Sequence, residues 1–317
     1  MVLKCFVAGH NGLVGGSVCD AIKKQGTRYE LVTANRSDLD LTDRQETFRF
    51  FEKNRPDCVV LSAAKVGGIL ANRDSPVDFL NSNLRIQSNV IDSAFSVGVN
   101  RLIFLGSSCI YPRDCAQPIK EEHLLTGPLE PTNRPYALAK IVGIEACWSY
   151  NRQHGTKYLA LMPTNLYGPG DNYHPSESHV LPGLIQRFHN AHINNHSEVS
   201  VWGTGTALRE FMFSKDIGEA ISFILDLDEA RFNELVDPSR CPIINMGSGH
   251  EISIHDLALK IAEIVGYKGN IVFDHSKPDG TPRKLLDSSR LQKLGWKTVT
   301  NLDEGIRKAY LDYLDRM

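Results

Sequence analysis

Apolar positions come first in short runs that are buried on both faces and then at helical spacing, and the two kinds alternate through the first half of the chain. The segments at 4–10 (KCFVAGH), 29–35 (YELVTAN), 57–64 (DCVVLSAA), 101–108 (RLIFLGSS) and 157–165 (KYLALMPTN) read as strands rich in Val, Ile, Leu and Phe. Between them TDRQETFRFFEKN, VDFLNSNLRIQSNVIDSAFSVG and PYALAKIVGIEACWSYNRQHG carry helical patterns long enough for right-handed crossovers. Such alternation predicts an α/β fold with a Rossmann-type doubly wound parallel sheet. After 165–175 (NLYGPGDNYHP) the alternation is lost, and later segments such as SIHDLALKIAEIVG read as peripheral helices. The expected division is residues 1–170 with a return segment at about 212–247 in a dinucleotide-binding domain, and 171–211 with 248–317 in a smaller, interleaved C-terminal α/β substrate domain.

Three glycines occupy the first strand-to-helix turn. Gly9, Gly12 and Gly15 in GHNGLVG precede the helical SVCDAIKKQG. Glycines at such a turn let the backbone approach a pyrophosphate, and the following helix N-terminus offers free N–H groups and a positive dipole end. A dinucleotide is the implied ligand. At the end of the second strand, where an NAD site places an acidic residue for the ribose, TANRSD offers Arg36, which suits a 2'-phosphate; Asp38 and Asp40 stand close by. NADP(H) is favoured over NAD.

Composition narrows the partners. The 317 residues are 42% hydrophobic and 23% charged, which suits a folded chain with a large core. With 35 Lys+Arg against 37 Asp+Glu there is no global field to attract nucleic acid or an anionic membrane, so a phosphorylated ligand needs local arginines. The seven cysteines contain no C-x-x-C, which points to a reducing cytoplasm and to neither a disulfide framework nor a Cys-rich zinc site. No apolar run reaches the roughly 18 residues of a membrane helix. His189, His192 and His196 fall at i, i+3 and i+7, as metal ligands might be spaced; no cysteine or suitably placed carboxylate completes them, and a solvated helix end without metal is expected.

Reductive chemistry is written in RPYALAK. Reduction of a ketone needs a hydride for the carbon and a proton for the developing alkoxide. Free tyrosine, with a pKa of about 10, is a poor acid unless perturbed. Lys140, one helical turn after Tyr136, is placed to favour the phenolate and lower that pKa. Ser107, at the end of the fourth strand, is placed to hydrogen-bond the same carbonyl oxygen. Cys109 follows two residues later, so if the strand continues both side chains border one face.

These features, with AAKVGGILAN, GSSCIYP, PTNLYGPGDN, SHVLPGLIQRF, VWGTGTALREFMFSKDIGEAI, NMGSGHEISI and PDGTPRKLLDSSRLQKLGW, resemble the extended short-chain dehydrogenase/reductase family over nearly the whole chain. Within that family KVGGI, SSCIYP, SHVLPG and PDGTPRK are similar to the branch acting on GDP-keto sugars. The resemblance implies NADPH-dependent conversion of GDP-4-keto-6-deoxy-D-mannose to GDP-L-fucose, by inversion at C3 and C5 and reduction at C4. Ser107, Tyr136 and Lys140 would form the reductive set, Cys109 the epimerisation base and His179 the opposing acid. Cofactor contacts would come from the turn, including His10, Asn11, Leu13 and Val14, and from Arg36, Asp40 and Leu41 after the second strand. The later strand ends would add Ala63 and Ala64, Leu105 and Gly106, and Pro163, Asn165 and Leu166, together with Lys140 and His179. Substrate contacts would come from Ser107, Ser108, Asn165, Arg187, Trp202, Arg209, Asp279 and Lys284, of which Lys284 has the cation Arg283 beside it.

The chain departs from the pattern at Asn11, where many similar bacterial proteins carry an arginine that also touches the 2'-phosphate. The helices near 77–97 and 135–153 would pair across a two-fold axis into a homodimer, as relatives do. Another extended reductase, a nucleotide-sugar 4-epimerase that retains NAD, and a non-catalytic NADP-binding regulator share much of this pattern.

Overall fold

The computed structural model describes residues 2–26, 28–175, 177–277 and 279–317. Its strands in chain order are β1 (Leu3–Ala8), β2 (Tyr29–Val32), β3 (Cys58–Leu61), β4 (Arg101–Leu105), β5 (Lys157–Pro163), β6 (Asn165–Tyr167), β7 (Glu198–Trp202), β8 (Leu208–Phe213), β9 (Ile243–Met246), β10 (Glu251–Ser253), β11 (Asn270–Asp274) and β12 (Arg283–Lys284). The α-helices are α1 (Leu13–Lys24), α2 (Arg44–Asn54), α3 (Ile69–Asp74), α4 (Pro76–Ser96), α5 (Arg134–His154), α6 (Val180–Ile193), α7 (Ser214–Leu225), α8 (Glu229–Leu235), α9 (Ile254–Val265), α10 (Ser289–Lys293) and α11 (Leu302–Asp315).

Six strands form one parallel sheet in the order β2-β1-β3-β4-β5-β9. Val7, Val60, Ile103 and Leu159 lie side by side across it. Strands buried on both faces need apolar residues at every position, which is why these segments read as continuous runs. Alternation sends Cys5, Val7 and Val60 toward α1 and α7, where Val18, Ile22, Ile217 and Ile221 meet them. Phe6, Val59 and Leu61 face the other way, toward Phe51, Val90, Ile91 and Ile144 on α2, α4 and α5. Gly218 lets α7 close on α1, since a Cβ there would fall 2.4 Å from the Ser17 carbonyl oxygen.

β1 has β2 on one side and β3 on the other, so the winding direction reverses between β1 and β3. Ligands of doubly wound sheets bind at the crevice such a reversal opens beyond the strand ends. The glycine turn lies there.

A smaller lobe is built on β8, which pairs in parallel with β6 and β12 and antiparallel with β10, and on the separate parallel pair β7 and β11. Its core joins Leu184, Ile185 and Phe188 of α6 to Leu257 and Ile261 of α9 and Ile306 of α11. The chain crosses between lobes repeatedly: β8 runs directly into α7, and Leu291 of α10 belongs to the core of the large sheet. Among the described residues no helix is long and apolar enough to cross a membrane.

Candidate active site at the edge of the parallel sheet

Each glycine of the first turn has its own reason to lack a side chain. Gly9 takes a φ of +89°, and a Cβ there would come within 2.7 Å of the Ala63 nitrogen. At Gly15 a Cβ would fall 2.1 Å from the Gly9 carbonyl oxygen, so α1 packs onto the turn only through glycine. Gly12 is different. A Cβ there would meet only the Gly9 oxygen, at 3.4 Å, so internal packing does not demand glycine at this position. Gly12 is also the N-cap of the twelve-residue α1 and makes no side-chain cap, which leaves the first N–H groups of that helix free. A bare backbone beside free donors at the switch point fits a dinucleotide pyrophosphate.

From the glycine turn, Asn11 donates from Nδ2 to Asn35 Oδ1 beyond the end of β2 over 2.9 Å, and Asn35 donates to Asp38 Oδ2 over 3.2 Å. Asp40 accepts from the Thr42 nitrogen and hydroxyl at 2.9 and 2.8 Å, and these bonds, with nearby Arg36, hold its carboxyl below the usual range. Both carboxylates are thus occupied locally, and Arg36 is the exposed cation of this segment. Leu41 packs on the core of the large sheet, and its carbonyl accepts from Asn89 over 2.9 Å.

The remaining positions expected at the cofactor close the crevice from the sheet side. The Ala63 nitrogen donates to the Ala8 carbonyl at 2.9 Å and Ala64 is half-buried. Leu105 and Pro163 end β4 and β5, and Leu166 packs against the large core from β6. Asn165 donates to the Glu210 carbonyl at 2.9 Å. His10, Leu13 and Val14 belong to the turn and the first turn of α1.

β4 stops at Leu105, and Gly106 fits where a Cβ would fall 2.2 Å from the Met162 methyl carbon. Ser107 is extended and accepts from the Cys109 nitrogen over 3.2 Å, starting a 3₁₀ turn at Ser108–Ile110. This corrects the expectation of a continuing strand. Cys109 reaches the site from a turn capped by Ser107, and Ser108 is buried behind it.

On α5, Tyr136 and Lys140 share a face, with the ammonium 5.8 Å from the phenol ring centroid. Gly143 allows that closeness to the sheet, because a Cβ would fall 2.5 Å from the Phe104 ring. Phe79 meets Tyr136 edge-on, with centroids 6.4 Å apart. The expected lowering of the tyrosine pKa by Lys140 is not what this geometry gives. Burial pushes the phenol up, the Cys109 sulfur adds to the rise, and only the hydrogen bond with Ser107 opposes it. Lys140 donates to the Leu105 carbonyl over 2.6 Å, and burial alone brings its own pKa down to about 7. A half-discharged lysine is a weak electrostatic partner for the phenol.

That shift carries a stability signature. Between about 7 and the ordinary 10.5 the unfolded chain binds a proton on Lys140 and the folded chain does not, so folding gains stability as pH rises through this window. The stability of Lys140→Met relative to the wild type is therefore expected to fall from about pH 6 to about pH 10. Denaturant unfolding at the two pH values checks it, and a constant offset would sink it.

Opposite this set the smaller lobe brings its cations. Lys284 Nζ lies 3.7 Å from Cys109 Sγ, and Asn133 Nδ2 lies 3.4 Å from the same sulfur. Arg283 is engaged elsewhere, donating to both oxygens of Glu251 at 2.8 and 2.7 Å, which leaves Lys284 as the cation of TPRK at the site. Arg209, paired with Lys284 in register, holds the Leu208 and Asp279 carbonyls at 2.8 and 2.9 Å. Burial weighs against its charge, with Asp279 and Cys109 acting the other way. The Asp279 carboxylate accepts from the Thr204 nitrogen and hydroxyl at 2.8 and 2.9 Å, so it braces the loop before β8. His179 is the N-cap of α6, with no side-chain cap; solvent reaches it, yet the protein crowded around it and, after that, nearby Lys284 lower its pKa. Arg187 stacks over Trp202 with its guanidinium 4.9 Å from the ring centroid.

Residues 5–236 match the model of the NAD dependent epimerase/dehydratase family. The chain belongs to that family. It is 49% identical to the GDP-L-fucose synthase of Escherichia coli (strain K12), covering 98% of this chain and 97% of that one. It is 50% identical to GDP-L-fucose synthase 1 of Arabidopsis thaliana over 98% of this chain and 93% of the relative. Among solved structures, a GDP-D-glycero-L-gluco-heptose synthase from Campylobacter jejuni in the presence of NADPH aligns with a TM-score of 0.89 at 34% identity, covering 99% of this chain and 98% of the other.

For an epimerase/dehydratase chain, the matched span holds the glycine turn, Ser107, Cys109, Tyr136, Lys140 and His179, whereas Asp279 and Lys284 lie beyond it. One residue of this constellation escaped the sequence reading. Asn133 directly precedes α5, and an asparagine before a helix signals a cap rather than a partner for a cysteine 24 residues away. Of the histidine series, His192 and His196 are exposed as at a solvated helix end, whereas His189 departs from that expectation: it is buried and pairs with the Tyr310 hydroxyl at 3.0 Å.

Proposed function

We propose that this chain converts GDP-4-keto-6-deoxy-D-mannose to GDP-L-fucose by inverting C3 and C5 and then reducing the C4 ketone. The carrying observation is the meeting of Ser107, Tyr136 and Lys140 with Cys109 at one edge of the sheet, beneath Lys284. Relatives named GDP-L-fucose synthase at 49% and 50% identity over nearly the whole chain support it.

Hydrogens beside a ketone are acidic because the charge left behind moves onto the ketone oxygen. Cys109 would withdraw such a proton, with Lys284 and Asn133 favouring the negative sulfur, and His179 would return one from the opposite face. Ser107 would hold the ketone oxygen, Tyr136 would give its proton to the alkoxide, and Lys140 would hold the cofactor ribose. Gly9 to Gly15 would cradle NADPH and Arg36 would meet its 2'-phosphate, and the bound cofactor would supply the hydride. Ser108, Asn165, Arg187, Trp202, Arg209, Asp279 and Lys284 would bind the GDP-sugar, with the basic side chains on its diphosphate.

The setting proposed is cytoplasmic, with no nucleic acid or membrane partner. Two copies would pair through α4 and α5, which pack together and expose Val77, Leu138 and Val142.

Incubation with the keto sugar should oxidise one NADPH per GDP-L-fucose formed. Interconversion of sugars with no net NADPH loss would point to a 4-epimerase and overturn the reading. Cys109→Ser is expected to stop solvent deuterium entering C3 and C5 while direct C4 reduction persists. Undiminished deuterium uptake would remove Cys109 from the mechanism.

A further inference from the structure

We infer that Asn133 is a positioning residue that holds Cys109 as a hydrogen-bond acceptor and so prepares the base for the inversion half of the reaction. The inference rests on the functional reading above for the role of Cys109, and on its own geometry for the role of Asn133.

Asn133 occupies the N-cap of α5, where asparagine ordinarily bonds a free N–H of the first turn. Here its side chain makes no such bond. Nδ2 points instead to Cys109 Sγ at 3.4 Å, while Oδ1 is buried and has no hydrogen-bond partner among the described residues. The amide oxygen thus forgoes the cap bond that would favour stability, and native proteins give up such contacts chiefly at functional sites. The residue is held firmly: Glu130 Oε2 accepts from the Asn133 nitrogen at 3.1 Å and from the Thr132 nitrogen at 3.0 Å, and the Asn133 carbonyl accepts from the Ala137 nitrogen at 2.9 Å.

Lys284 Nζ, 3.7 Å from the same sulfur, gives the pair its direction. Two donors on one sulfur are best satisfied by the thiolate, which accepts both and has no proton to place. The other groups that bear on it are Arg209 on β8 and Tyr136 on α5, with His179 facing Lys284. Asn133 is the neutral member, which makes it separable: its change to alanine or serine leaves the charge that meets the GDP-sugar unaltered.

The test is the pH dependence of Cys109 alkylation by iodoacetamide, followed on the Cys109 peptide by mass spectrometry. Wild type, Asn133→Ala, Asn133→Asp and Asn133→Ser are compared after thermal melts have shown each to be folded. At neutral pH, Asn133→Ala should react about tenfold more slowly, as expected for loss of a hydrogen bond to a charged group. Asn133→Asp, similar in shape but negative, should react more slowly still, and Asn133→Ser, which keeps a donor, should lie nearer the wild type. Solvent deuterium entry into the keto sugar should follow the same order while NADPH binding stays unchanged. A purely structural role would lower the melting temperature without moving the alkylation midpoint. Superimposable profiles in folded variants would overturn the inference even in an active enzyme. Ordered profiles in a protein that leaves the GDP-keto sugar untouched would uphold the inference and sink the functional reading.

Discussion

Replacing Tyr136 with phenylalanine is expected to slow NADPH-dependent reduction at C4 by about 10²- to 10⁴-fold, the usual contribution of a positioned general acid. Solvent deuterium entry at C3 and C5 should continue, because Cys109 keeps Lys284 and Asn133 on its sulfur. The ring edge against Phe79 survives the change, so loss of packing does not explain the effect. Progress curves with the keto sugar, read for NADPH oxidation and for deuterium in the recovered sugar, separate the two halves. Equal loss of both would show that Tyr136 serves inversion as well, and that Ser107, Tyr136 and Lys140 are not a distinct reductive set.

The glycine turn gives the second large effect through two substitutions, of which only one is expected to cost stability. Gly15→Ala would push a methyl to 2.1 Å from the Gly9 oxygen and 2.9 Å from the His10 Cα, all backbone, so the turn itself must move. Overpacking of this kind costs about 1–3 kcal/mol, and a displacement of about 1 Å at a binding backbone is able to cost about 10²-fold. Stability and NADPH affinity should both fall. Gly12→Ala meets only one atom, at 3.4 Å, so the protein should melt as the wild type does while NADPH affinity still drops, because the methyl enters the space a pyrophosphate needs. Titration of NADPH fluorescence alongside thermal melts reads both quantities. Wild-type affinity in Gly12→Ala would show that the cofactor does not approach the turn there.

The large sheet was legible because its signals are local. LKCFVA, CVVL and RLIFL are apolar at nearly every position, and a strand covered on both faces has no other composition. The smaller lobe was not legible strand by strand. β6, β10 and β12 span only two or three residues, too few for a period of two to stand out, and they exist because β8 offers them edges. In the site, the spacing of Tyr136 and Lys140 correctly put both on one helix face. It could not show that the Lys140 ammonium would be dehydrated and turned to the Leu105 carbonyl, since that depends on how deeply α5 beds against β4. Cys109 was found by its distance from Ser107, although the strand invoked for it ends at Leu105 and a 3₁₀ turn delivers the sulfur instead.

The sequence by itself determined the doubly wound order of elements, the glycine turn at the first strand end and the helical pairing of tyrosine with lysine. Each is fixed by spacing over a few residues, and backbone periodicity acts at that range. Only the tertiary structure decided which groups meet across the cleft. Lys284 reaches Cys109 from 175 positions away because β12 pairs with β8 in one register, and Arg283 is held aside by Glu251 for the same reason. Asn133 turns from its helix to the same sulfur because the Ser107 turn places Cys109 before the start of α5. Contacts of this length depend on how separate segments pack, which no local pattern encodes.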